Sequence, residues 1–353
     1  MSRFFSKKYS SLEAYVPGEQ PRDMKYIKLN TNESPYPVSE KVSLSVKESA
    51  KHLNLYSDPE CAGLREKVSE VFGVKKERIL MTNGSDEALN FAFMAFCDDE
   101  HPIVFPDITY GFYPVFAQLN SIPYEQIPLD ENLKIRVENY EAINKNIVIA
   151  NPNAPTGICL LLEQIETIAK TNPNNVVIVD EAYVDFGAES AIPMTEKYDN
   201  LLVIGTFSKS RSMAGARLGF AIGNEELIND LNTIKYSTNP YNVNTMTAAA
   251  GVAVLDENDR YMSFCEEIAK TRAFTKKELE KLGFFVTDSK ANFLFAKSDR
   301  ISGEKLYLEL KKQGVLIRHF KTERIKDFNR ITIGTKEQMK VFLEKVENIL
   351  KES

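Results

Sequence analysis

Three stretches set the strongest limit on the fold of this chain: NIVIAN (146–151), NVVIVD (175–180) and NLLVIG (200–205). Each is apolar without alternation, so a strand made from it must be buried on both faces. Two further runs, ERILMT (77–82) and HPIVF (101–105), are followed by the helical patterns SDEALNFAFMAF and YGFYPVFAQLN. Doubly buried strands alternating with helices predict an α/β domain with a mostly parallel, doubly wound sheet, placed at 45–255.

Beyond that point the pattern changes. A helical stretch over 257–282 leads into the short strand signals FFVT, NFLFAK, VLIRHF and RITIG, with helices expected over 302–313 and 336–351. This predicts a smaller α+β domain over 256–353. Residues 1–44, with Pro17, Pro21, Pro35 and Pro37, read as an arm and part of that smaller domain.

At 353 residues and 43% hydrophobic content the chain is long enough for two cores. Its net charge of -6, with both signs interspersed, leaves no basic footprint for nucleic acid. The start, MSRFFSKKYSSLEAY, has no apolar signal region, and no 18-residue apolar run occurs, so a soluble cytoplasmic protein without a membrane partner is expected. Cys61, Cys97, Cys159 and Cys265 form no CxxC pair and read as free thiols. His52, His101 and His319 form no HExxH, so no metal is expected. Neither GxxxxGK[ST] nor GxGxxG is present.

In open parallel sheets ligands bind outside the carboxyl ends of the strands. NVVIVD ends in Asp180, followed by Glu181, Ala182 and Tyr183; NLLVIG runs through TF to Ser208 and Lys209; ERILMT opens a helix through Asn83-Gly84-Ser85-Asp86. Taken singly, these could be a turn cap, a surface lysine and an N-cap. Together they read as a site. The N–H groups of Gly84, Ser85 and Asp86 at a helix start suit a phosphate, and Ser208 with the planar fork of Arg217 could complete its cage. Gly215 and Gly219 are expected to give that fork room. An amine, a strand-end carboxylate and a phosphate cup fit pyridoxal 5'-phosphate, which needs one of each.

With these residues in view, the chain resembles the fold-type I pyridoxal-phosphate aminotransferases of the histidinol-phosphate aminotransferase group. The resemblance runs nearly end to end through LNTNESPY (29–36), LYSDP (55–59), TNGSDEAL (82–89), NPNAPTG (151–157), VDEAYVDF (179–186), SKSRSMAGARLGF (208–220), NPYNVN (239–244), ANFLF (291–295) and RITIGT (330–335). It implies that Lys209 carries the covalent link and the transferred proton, that Asp180 pairs with the ring nitrogen, and that Tyr183 bonds the ring's phenolic oxygen. It further implies that Tyr110 stacks on the ring and that Gly84, Ser85, Asp86, Thr206, Ser208 and Arg217 hold the phosphate. Tyr56 would reach the phosphate of a second subunit, which implies a homodimer with shared sites. Arg330 would clamp the substrate carboxylate, with Arg318, Tyr15 and Asn32 at the substrate's distal end.

The chain departs from the family pattern in places. Where the pattern has an asparagine before Pro-Thr-Gly, bonding the cofactor's phenolic oxygen, this chain has Ala154, so either Asn153 or a shifted backbone serves or that bond is absent. Ser210 and Arg211 replace a small-then-aromatic pair, which would put an extra arginine near the site mouth. The resemblance implies transamination of histidinol phosphate with 2-oxoglutarate, in histidine biosynthesis. An aromatic amino-acid aminotransferase and a threonine-phosphate decarboxylase share the scaffold, and a non-catalytic cofactor-binding regulator is the alternative of a different class.

Overall fold

The computed structural model describes residues 2–10, 12 and 17–352. Among them the strands form three sheets. A two-residue strand, β1 (Ile27–Lys28), comes first. The main sheet then uses β2 (Ile79–Thr82), β3 (Ile103–Pro106), β4 (Tyr124–Ile127), β5 (Asn146–Ala150), β6 (Val177–Asp180), β7 (Leu201–Thr206) and β8 (Gly219–Ile222). Their order is β2-β8-β7-β6-β5-β3-β4. All neighbours from β7 to β4 run parallel, while β8 lies antiparallel between β2 and β7.

The unbroken apolar runs are explained by two cores, one on each face. Ile147, Ile149, Val177, Val179, Leu201 and Val203 point to one face, where Leu64, Val68, Ile165, Ile168 and Val254 pack on them from helices. Val148, Ile178, Leu202 and Ile204 point to the other, against Ala88, Leu89, Phe93, Phe116, Ile228 and Leu231. Successive side chains of a strand alternate faces, so a strand serving two cores must be apolar at every position.

The second unit has a four-stranded antiparallel sheet in the order β12-β13-β10-β9. Its strands are β9 (Phe284–Val286), β10 (Phe293–Ser298), β12 (Arg318–His319) and β13 (Asn329–Thr332). The helices Asn258–Lys281, Gly303–Lys312 and Lys336–Lys351 cover it in a third core, which also takes in Leu29 and Phe186. A short strand, β11 (Val315–Leu316), pairs parallel with β1. Leu29 continues this tie: its N–H donates to Leu316 O at 2.8 Å, and Thr332 N donates to its carbonyl at 2.9 Å. The helix Glu40–Ser49 lies along Thr245–Leu255, and Ser45 Oγ donates to Ala249 O at 3.1 Å. A division at 44/45 would therefore cut a helix that goes with the main sheet. A fourth core joins the two units, with Ile108, Leu129 and Leu133 packed on Phe295, Ile325 and Phe328.

Candidate active site

The carboxyl ends of β5, β6 and β7 open onto a cavity of about 140 Å³, lined among others by Ser85, Asp86, Tyr110, Asp180, Tyr183, Thr206, Ser208, Lys209 and Arg217. A cleft of about 380 Å³ adjoins it through Lys209, Tyr110 and Tyr183, and adds Asn30, Asn32, Arg318 and Arg330 from the arm and the smaller sheet.

One end of the cavity is built by backbone. The helix Ser85–Phe96 starts one turn after β2, from Gly84 at φ 79°. The positive φ of Gly84 favours glycine for the turn, and a Cβ there would lie 2.6 Å from Arg217 Nη2, so the guanidinium sits directly over the glycine. A Cβ on Gly219 would lie 2.5 Å from Gly84 C and Ser85 N, so β8 seats directly against the start of the helix. Gly215 has no atom within 4 Å of where its Cβ would be, so it does not make the room expected of it. Arg217 itself adopts left-handed backbone, φ 55°, after the short helical turn Ala214–Ala216. Its Nη1 donates to Ser208 Oγ at 3.3 Å and its Nη2 to Asp86 Oδ2 at 2.9 Å. Tyr110 donates its hydroxyl to the other oxygen of Asp86 at 2.7 Å, and Thr206 Oγ1 bonds Ser208 Oγ at 3.0 Å. Hydroxyls, a guanidinium and a helix start thus converge, which is the donor chemistry of a phosphate site.

The floor carries a carboxylate. Asp180 is 4% exposed; its Oδ1 accepts from Ala182 N at 3.1 Å and its Oδ2 from the hydroxyl of Tyr113 at 2.8 Å. Burial pushes its carboxyl up to about 6, against the pull of the Tyr113 and Ala182 donors. A cationic ring nitrogen here would supply the charge that burial removes. Tyr113 was not among the sequence candidates. It sits three residues after Tyr110, and their rings meet edge-on at 5.5 Å, but only the fold shows its reach to Asp180.

Lys209 follows β7 by a short turn. Its Nζ lies 3.5 Å from Thr31 O and 5.9 Å from the centre of the Tyr183 ring, at the junction of cavity and cleft. Across the cleft, the β12–β13 register sets Arg318 opposite Arg330. Both guanidinium groups lie 5.9 Å from the Phe320 ring, and Arg330 donates to Asn30 O at 3.0 Å.

Other expected residues are placed differently. Asn153 does not face the cavity. Its Oδ1 accepts from Thr109 Oγ1 at 2.7 Å, and its Nδ2 donates to Ile108 O at 2.9 Å and Thr156 Oγ1 at 3.1 Å. It lines a separate cleft instead, and it is Ala154 that lines the cavity. The amide is consumed in holding the 151–157 loop, so it is not available as a ring-oxygen donor. Arg211 is not at the mouth but 2% exposed, with Phe72 and Phe207 rings each 5.4 Å away. It donates to Asp185 Oδ2 at 3.0 Å and Asn258 Oδ1 at 3.1 Å, which makes it a tie between the two units. Tyr56, expected to serve a second subunit and not this chain's own cavity, is 84% exposed and stacks on Tyr241 at 4.6 Å. Asn32 donates to Tyr183 Oη at 3.0 Å. Tyr15 lies outside the described residues.

The residues present fit pyridoxal 5'-phosphate: a cup of hydroxyls, a guanidinium and a helix start for the phosphate, a buried carboxylate, and an amine between them. Among the described residues no group of three or more His, Cys, Asp or Glu side chains could hold a metal ion, and no helix is long and apolar enough to cross a membrane.

Comparison with known proteins agrees with this geometry. The profile of the family "Aminotransferase class I and II" matches residues 24–346. The histidinol-phosphate aminotransferase of Brachyspira hyodysenteriae is 48% identical over 353 residues, covering 99% of this chain and 100% of that one. Histidinol-phosphate aminotransferase 1 of Oceanobacillus iheyensis is 44% identical, with full coverage of both. Among solved structures, the histidinol-phosphate aminotransferase of Clostridium acetobutylicum superposes with TM-score 0.85 at 25% identity, covering 92% of this chain and 99% of that one. That of Sinorhizobium meliloti, in complex with pyridoxal-5'-phosphate, shares the fold with TM-score 0.89 at 20% identity, covering 100% and 99%. From its motifs, its site and these matches along its length, the chain belongs to the aminotransferase class I and II family.

Proposed function

We propose that this protein transfers the amino group between histidinol phosphate and a 2-oxo acid such as 2-oxoglutarate, with pyridoxal 5'-phosphate as carrier, as a step of histidine biosynthesis. The observation that carries the substrate assignment is the facing pair Arg318 and Arg330 beside Lys209. Like charges directly opposite on a sheet are unfavourable, and an anion between them relieves the repulsion. A single carboxylate satisfies one guanidinium fork. A phosphate dianion, two bonds further from the reacting carbon, has oxygens for both. Histidinol phosphate carries phosphate where an amino acid carries carboxylate, so Arg330 serves both substrates and Arg318 adds the second cation.

Bound in the cavity, the cofactor supplies the electron sink that lets the substrate's Cα–H bond break. The chain supplies the rest. Arg217, Ser208, Thr206 and the helix start bind the phosphate. Asp180 holds the ring nitrogen in its charged form. Tyr110 lines the wall, where it would stack on the ring. Lys209 Nζ holds the cofactor between turnovers, then accepts the Cα proton and returns it.

The exposed Tyr56 and its neighbours Leu53 and Leu55, at 57% and 64% exposure, support a homodimer in which this loop reaches a partner's phosphate cup. The four free cysteines fit a cytoplasmic setting.

The test mixes cofactor-loaded protein separately with glutamate, histidinol phosphate, phenylalanine and O-phosphothreonine. Glutamate and histidinol phosphate should bleach the visible band of the bound cofactor, with phenylalanine slower. Carbon dioxide release from O-phosphothreonine would overturn the proposal in favour of a decarboxylase. Bleaching by phenylalanine at the rate of histidinol phosphate would move it to aromatic transamination.

A further inference from the structure

Asn32 occupies a position that no distal substrate contact explains. It is 1% exposed and holds left-handed backbone at φ 56°. Each polar group is placed. Its backbone N–H donates to Thr332 Oγ1 at 3.0 Å, its carbonyl accepts from Asn292 Nδ2 at 3.0 Å, and its Oδ1 accepts from Thr332 Oγ1 at 2.9 Å. That leaves Nδ2, which donates to Tyr183 Oη at 3.0 Å.

The direction of these bonds follows from counting protons. Thr332 Oγ1 already accepts the backbone N–H of Asn32, which can only donate, so its own proton goes to Asn32 Oδ1. The reversed amide would leave that buried threonine proton without this acceptor, an unfavourable arrangement at 2% exposure. The amide nitrogen is therefore fixed towards Tyr183. A tyrosine oxygen that accepts there must direct its single proton elsewhere. Tyr183 lines the cavity, and beside it the wall is made by Ala154, packed with Tyr183, Ala291 and Phe293 in one apolar cluster. A methyl group offers no donor to a ligand at that wall, so the orientation of the Tyr183 proton matters more here.

We infer that Asn32 is a positioning residue for the cofactor, oriented by Thr332 so that it holds the Tyr183 hydroxyl as a hydrogen-bond donor into the cavity. Thr332 lies two residues after Arg330 on β13. The strand that presents the substrate arginine thus also sets the donor on the cofactor side. The inference rests on the cofactor assignment above and revises the substrate role expected for Asn32.

The test reads a titration instead of turnover. A donor on the cofactor's phenolic oxygen withdraws negative charge that would otherwise hold a proton on the nearby linking nitrogen. Losing the donor raises the pH at which the visible band of the bound cofactor titrates. Glycine tolerates φ 56°, so Asn32→Gly removes the amide without backbone strain. Its midpoint should rise by roughly half to one pH unit, the size of one hydrogen bond. Tyr183→Phe should raise it at least as far, and adding Asn32→Gly to Tyr183→Phe should give no further rise. Thr332→Val, which leaves Asn32 in place but frees its amide to turn, should shift the midpoint the same way by a smaller amount. An unchanged midpoint in folded Asn32→Gly with a raised KM for histidinol phosphate would overturn the inference and return Asn32 to the substrate. Additive shifts in the double variant would overturn it as well. Wild-type protein that takes up no pyridoxal 5'-phosphate would overturn the cofactor reading itself, a separate and visible outcome.

Discussion

The two ends of the site solve the problem of holding an anion in different ways. At the cofactor end, Arg217 is held by its left-handed backbone, set over a glycine, and already paired with Asp86. At the substrate end, Arg318 and Arg330 face each other across two strands and lie beside aromatic rings and a backbone carbonyl. The first arrangement suits a ligand that stays. Donors and their countercharge are in place before it arrives, so little ordering is lost on binding. The second suits ligands that come and go, because two facing cations attract an anion while ring faces and a carbonyl steady them in its absence. Lys209 stands where the two meet.

The largest expected effect separates chemistry from both binding ends. Lys209→Ala should lower kcat by about 10⁴-fold or more, since one amine serves as link and proton carrier. Both anion sites are left intact, so the variant should still take up pyridoxal 5'-phosphate non-covalently. Reduction with a hydride donor should label wild-type protein and leave the variant unlabelled; a labelled variant would assign the link to another lysine.

The ends also differ in buried acid. Beside Asp180, Glu181 is 4% exposed and accepts from Ser190 Oγ and Ala191 N, both at 2.6 Å. Burial pushes its carboxyl up to about 8. An acid whose pKa folding raises binds its proton more tightly in the native state than in the unfolded chain. Stability therefore falls as pH rises through the window between the two values. The window runs from 3.8 to about 6 for Asp180 and from 4.5 to about 8 for Glu181. At 1.36 kcal/mol per unit, each is worth roughly 3 to 5 kcal/mol. The cofactor-free protein should melt higher at pH 5.5 than at pH 8. Glu181→Gln should remove most of the fall above pH 7, where Asp180 is already largely ionised. A variant slope equal to that of the wild type would show that Glu181 titrates normally.

What could be read from the sequence follows the range of the interactions involved. The central strands were legible because two cores demand apolar residues at every position, as in NVVIVD. The edge strand β4 gave no such signal, since Tyr124, Glu125 and Gln126 are exposed. β8 was hidden because GFAI is short and pairs antiparallel in an otherwise parallel context. At the site, Gly84, Ser208 and Arg217 were legible as a cup because strand end and helix start bring them together. Asn153 and Arg211 were misread for one reason: their side chains are consumed by partners that local sequence does not indicate. Thr109 and Ile108 hold Asn153 from 44 and 45 residues away, and Asn258 holds Arg211 from 47. The bond of Asn32 to Tyr183 spans 151 residues.

The smallest expected effect probes the substrate end alone. If Arg318 is the second cation for a dianion, its loss must discriminate between substrates by charge. Arg318→Ala should lower kcat/KM for histidinol phosphate by about 10- to 100-fold, the worth of a charge-assisted contact, and that for glutamate by less than about 3-fold. Arg330→Ala, by contrast, should weaken both, because carboxylate and phosphate alike use its fork. Steady-state kinetics with each substrate on both variants make the comparison. Equal losses in Arg318→Ala would mean that the facing arginines act as one undivided anion site, and the division of labour drawn from the β12–β13 register would fail. A loss confined to histidinol phosphate would instead show that the second arginine acts through the extra charge of the dianion, and that the β12–β13 register, by setting it opposite Arg330, turns charge into selectivity.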